Sequence, residues 1–155
     1  MFDAYAYFKS NAGREEIAQA SGVEIAAVYR VTGLSRLEDL LRDVRQTRFP
    51  CLVVDFGADG NLDLSRGISD RGYYTFYVLD SAGTERREVD IFQILERMFR
   101  LGKAVTRMMR ADSADISLPC YGLDSSSIGY NRIGPVGMQC YGYAFNYTMT
   151  RDHEQ

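Results

Sequence analysis

Tryptophan is absent from this 155-residue chain, histidine occurs once and cysteine three times. Each scarcity excludes something. His153 lies close to the end of the sequence, where chains are commonly disordered, so no Cys–His or Ser–His pair is expected to serve as nucleophile and base. Cys51, Cys120 and Cys140 are odd in number and widely spaced. They fit neither a zinc pattern nor a disulfide framework, and free buried thiols in a reducing compartment are expected. No apolar run approaches 18 residues, which excludes a spanning helix and any membrane role that needs one. The opening MFDAYAYFK has no basic segment followed by an apolar one, so it does not read as a secretion signal. Charge of one sign is lacking too: 18 Lys and Arg face 21 Asp and Glu, for a net of −3. Nothing in that balance draws the whole molecule to nucleic acid or to an anionic membrane.

What is present suits one globular domain over 1–155. Apolar residues make up 46% and charged residues 25% of the chain, close to the globular average. Residues 1–47 are rich in alanine and free of proline, and read as helical. Ser35 and Glu38 form a capping-box pattern, and Leu37, Leu40, Leu41 and Val44 share a face of the helix that follows. From residue 49 the pattern changes to strands. RFPCLVVDF is short, β-branched and led in by Pro50; YYTFYVLD (73–80) is aromatic and ends at the turn SAGT. Between them, 57–72 is rich in Gly, Asp and Ser and reads as a long loop, with a short strand at 62–64. Residues 88–110 predict the longest helix, with an apolar stripe of Ile91, Leu95, Met98, Gly102, Val105 and Met109. After an irregular stretch from 111, the chain closes on a period-2 pattern. There Tyr141, Tyr143, Phe145, Tyr147 and Met149 alternate with small or polar residues. Over 49–150 this order predicts an α+β fold: a small, mostly antiparallel sheet with the long helix and the N-terminal helices packed on one face.

Three patterns bear on function. IAQASGVEIAAVYRVTGL (17–34) has helix-turn-helix spacing, with Ala18 followed by Gly22 and then Val28. A reading helix needs polar residues at its start, yet this segment offers Glu24, Ile25, Ala26 and Ala27. Residues 1–48 also carry seven basic and seven acidic side chains, a neutral surface for a phosphate backbone. Two ordinary helices packed through Ile17, Ala18, Val23, Val28 and Leu34 is therefore the plainer reading. A small DNA-binding regulator, with its helix-turn-helix at 14–33 and a C-terminal α/β sensing part, is the alternative. The second pattern, Asp55, Asp59, Asn61 and Asp63, resembles a calcium loop only loosely, because the glycine and the closing glutamate are misplaced. No phosphate-loop motif occurs, and no catalytic residue, cofactor site or metal site is assigned. The third is a basic ridge on the long helix, made of Arg97, Arg100, Lys103, Arg107 and Arg110, with only Glu96 near enough to pair. It is the candidate interaction surface, suited to solvent, to an acidic partner or to a nucleic-acid backbone.

The sequence of elements carries a resemblance. FPCLVVDF, then YYTFYVLD, the helix from Val89 to Arg110, and the closing IGP (133–135) with YGYAFNY (141–147) resemble the small α+β proteins of phage and prophage structural clusters. The likeness spans 49–149 and is to the tail terminator or tail-completion family. It implies a non-enzymatic subunit that self-associates into a ring, commonly a hexamer, at the head–tail junction. The implied partners are tail-tube and head–tail connector proteins, with non-specific contact to DNA passing through the ring. The implied location is the virion, assembled in the host cytoplasm.

Overall fold

In a computed structural model, residues 2–42, 46–83, 87–126, 128–137 and 139–153 are described. The chain begins with two short helices, α1 (Ala4–Asn11) and α2 (Glu15–Ser21). Asp3 caps α1 by accepting the Ala6 N–H at 3.0 Å, which satisfies one of the helix's free donors. Gly22 closes α2 at φ 74°, a left-handed conformation that glycine adopts without a Cβ penalty.

The expected second helix of the helix-turn-helix does not form. After Gly22 the chain extends into β1 (Ala27–Val31), which runs parallel to β2 (Cys51–Asp63). The run Val28–Val31 supplies β-branched and aromatic side chains that pack on a sheet, and this outweighs the alanines before it. The reading of 1–47 as wholly helical, and of 14–33 as a helix-turn-helix, is corrected accordingly. Ile17 and Val23 are buried, but Leu34 is largely exposed. Helix α3 (Leu34–Arg42) follows, with Leu37 and Leu41 buried. Ser35 sits inside this helix and does not cap it. Glu38 instead accepts the Gly137 N–H at 2.9 Å. Val44, expected on the same face, lies outside the described residues.

The segment expected to be a loop at 57–72 is most of a long hairpin. Strand β2 reaches Asp63 and pairs antiparallel with β3 (Ile68–Ser81), with a register shift between Asp55 and Asp59. Asp59, Gly60 and Asp63 are tolerated on exposed strand surface, while Gly72 is buried where a Cβ would meet the Tyr74 ring. Helix α4 (Glu88–Ser113) runs three residues beyond expectation. Strands β4 (Gly129–Val136) and β5 (Cys140–His153) complete a five-stranded sheet of order β1-β2-β3-β5-β4. β5 pairs with β3 along its full length, as far as His153 opposite Ile68, so the backbone there is ordered in the sheet.

The fold is α+β, as expected, with the sheet antiparallel except at β1–β2. Strand alternation divides the core into two layers. On the first face, Leu52, Val54, Phe76, Val78, Phe145, Tyr147 and Met149 pack under α1, α2 and α4. The predicted alternation of β5 is observed, with all five large side chains from Tyr141 to Met149 on this face. Helix α4 turns Ile94, Met98, Leu101, Val105, Met108 and Met109 inward. The stripe is thus rotated from the expected one, with Ile91 and Leu95 only half-buried. Gly102 is required here: a Cβ would collide with the ring of Phe145. On the second face, Val31, Cys51, Val53, Leu79, Cys140 and Ala144 pack with Leu37 and Leu41. Helix α3 therefore covers the side opposite the other helices, a departure from the expectation that all the N-terminal helices share one face.

Candidate interaction surfaces

Helix α4 lies with Ile94, Leu101 and Val105 against the sheet. At 100° per residue, Arg100, Lys103, Arg107 and Arg110 then fall within an arc of about 80° centred opposite that stripe. All four are exposed. No carboxylate among the described residues lies within ion-pair distance of any of them. The Lys103 ammonium stands 5.0 Å from the centre of the Phe99 ring, which steadies its stem. Arg97, the fifth member of the expected ridge, is not on this crest. It turns toward the sheet and pairs with Asp80 at 3.3 Å. Asp80 is mostly buried on β3, and its burial pushes its carboxyl up even with the guanidinium alongside.

The second surface carries no apolar alternation in the sequence and has the composition of a loop there. Beyond the Asp59–Tyr73 pair, the β2–β3 hairpin runs on through a turn at 64–67, with the end of β5 as its third strand. Five residues of strand at about 3.3 Å each make this arm some 16 Å long before the turn. It is exposed along almost all of its length. Leu62 is 66% and Leu64 67% exposed, with Ile68 and Tyr73 also open. By the pleat, Leu62 and Ile68 stand on the side that continues the first face. The calcium-like residues also lie on β2. There Asn61 donates to the Tyr73 hydroxyl at 2.9 Å, and Asp63 accepts from the Ser65 backbone and hydroxyl.

A third cluster is polar but closed. The Asp112 carboxylate, near the end of α4, accepts from the Tyr7 hydroxyl at 2.7 Å and from Arg14 at 2.8 Å. Arg14 also pairs with Glu16. Burial, with Cys120 and Asp112 adding to it, pushes the Tyr7 hydroxyl far up, and burial pushes the Cys120 thiol up to about 11. Both groups are held neutral and out of solvent, so the cluster ties α1, Arg14 and the end of α4 together. Nearby, a hollow of about 260 Å³ between the α1–α2 turn and the segment leading into β1 is lined by Arg14, Ile17, Ala18, Val23 and Ile25. Its cation is already engaged by Asp112 and Glu16. No helix among the described residues is long and apolar enough to cross a membrane. Compared with known proteins, the chain matches no family model and no curated protein sequence.

Proposed function

We propose that this chain is a non-enzymatic structural subunit that assembles with copies of itself into a ring in a phage or prophage tail. In this reading it acts at the head–tail junction, in the manner of a tail terminator or tail-completion protein. The observation that carries the reading is the exposed arm. Leu62, Leu64 and Ile68 are far more open than the residues of the same strands in the core. Burying what remains open would contribute about 1–2 kcal/mol at each leucine and about 1 kcal/mol or less at Ile68, and a neighbouring subunit supplies such cover. Two open sheet edges, β1 and β4, give a subunit the head-to-tail contacts that close into a ring. The closed polar cluster at Asp112 suits a structural role better than a catalytic one.

Native mass spectrometry tests this directly. The expected species is a closed ring, for a hexamer roughly 105 kDa, six times the 17.5 kDa chain. The double substitution Leu62→Ser with Leu64→Ser should reduce it to monomers while leaving the thermal midpoint of the isolated subunit nearly unchanged. A strict monomer at high concentration, even beside tail-tube protein, overturns the proposal.

A further inference from the structure

We infer that the outer face of α4 is an interface between two copies of this chain, whose α4 helices meet antiparallel across a two-fold axis beside Phe99. The contact is isologous, whereas a ring closes through head-to-tail contacts. The inference therefore goes beyond the ring reading and does not depend on it.

Three observations support it. The first is periodicity. Val89, Phe92, Glu96, Phe99 and Lys103 recur at alternating steps of three and four, the spacing of a seam that packs on another helix. Here the seam looks outward: Val89 is 58% and Phe92 60% exposed, and Phe99 is half-buried. The second is the sorting of charge. Free cations alone single out nothing, since Arg42, Arg48, Arg66 and Arg132 are also exposed and form no ion pair among the described residues. On α4, however, the exposed acids Glu88 and Glu96 stand before Phe99, and the exposed cations Lys103, Arg107 and Arg110 stand after it. None of the five is ion-paired among the described residues. A phosphate backbone or an acidic protein laid along this face would meet its acids as well as its cations. A second copy, running the other way, meets each charge with its opposite. With the axis beside Phe99, residues after it face those a similar distance before it. Lys103 then lies opposite Glu96 of the second copy and Arg110 opposite Glu88, and symmetry repeats both pairs. The helix dipoles oppose as well. The third is the centre of the face. At the axis Phe99 meets Phe99 of the second copy, and the exposed Tyr130 ring of β4, 4.9 Å from Phe99, widens that patch. An aromatic centre inside a charged rim is the anatomy of a protein–protein interface.

One helix against one helix makes a small interface, so the pair is expected to be weak: absent at low micromolar concentration and populated at hundreds of micromolar. Sedimentation velocity over that range, on the full chain carrying Leu62→Ser and Leu64→Ser, reads the contact without the ring. A dimer is the expected species. In that background Glu88→Arg with Glu96→Arg should weaken pairing by about 30-fold, and Lys103→Glu with Arg110→Glu by a similar factor, since symmetry makes four exposed contacts repulsive. An equimolar mixture of the two variants should form mixed dimers as strong as the parent's, because every contact regains opposite charges. Side chains that merely support the fold would show no such rescue, and circular dichroism unchanged from the parent shows that each variant is folded. The inference is overturned by a monomer at every concentration, by dimers indifferent to both pairs of substitutions, or by a mixture no stronger than its components. A persistent monomer that binds polyglutamate through Lys103 and Arg110 also overturns it and gives the face to an acidic protein. A parent chain that pairs through α4 but closes no ring refutes the ring alone. A ring whose arm variant never pairs refutes the α4 contact alone.

Discussion

The two faces of the sheet are covered in different ways. The first face lies under three helices and is filled with rings: Phe8, Phe76, Phe145 and Tyr147 meet at centroid distances of 5.1 to 6.4 Å, and Phe76 stacks on Phe145 within 8° of parallel. The second face lies under α3 alone and is built mainly from Val, Leu, Cys and Ala, with the Tyr77 ring buried among them and Tyr29 and Phe49 packed at the margin. Large rings bury more area each and lock one another into a single arrangement. Fewer rings under one short helix leave less to lose. The first face should therefore hold most of the fold's stability, and the second should serve mainly to seat β1 and α3.

The sharpest way to break that contrast is a pair of truncations. Phe76→Ala should cost about 4–5 kcal/mol and Leu41→Ala about 2–3 kcal/mol, since the ring leaves the larger cavity. Urea midpoints at constant slope measure both, and equal losses would erase the difference between the faces. A smaller effect comes from the polar tie on the first face. Asp112→Ala strands the buried Tyr7 hydroxyl and should cost about 1–3 kcal/mol. Tyr7→Phe in the same background should recover part of that loss, measured as a double-mutant cycle. The smallest effect tests sealing. Burial pushes the thiol of Cys120 up to about 11 on the first face and that of Cys140 up to about 12 on the second. With folded pKa values this high, the thiolate is scarce below pH 9 and grows only as pH approaches 11. Cys51, Cys120 and Cys140 should resist alkylation at pH 8 and react together on unfolding. Selective labelling of Cys140 or Cys51 would show that the second face opens locally.

Much of the first face was legible in the sequence. The alternation of Tyr141 to Met149 and the helical period of 88–110 each have one buried side, and burial enforces periodicity. The segments that misled lie where burial is weak or divided. Residues 27–31 form an edge strand beside an alanine-rich helix, and Ala26 and Ala27 carry the helical signal on past Gly22. The arm at 59–71 buries little, and strands that face water on both sides lose the apolar alternation that marks them. Helix α3 showed its apolar stripe but not which layer it would join, since a stripe carries no information about sheet side. The crest of α4 was found, except that Arg97 could not be told from its neighbours until Asp80, 17 residues away, was seen beside it.

The bond between Tyr7 and Asp112 joins positions 105 residues apart. It has a consequence for biosynthesis. Strand β1 can pair with β2 and α1 can rest on both early, but α2 packs on α4 and Tyr7 bonds Asp112, so these helices are not fully seated until residue 112 has been made. The amino-terminal helices are made early and seated late. Contacts this distant in sequence slow folding, and until they close, the ring-lined layer stands open to chaperones and to other nascent chains.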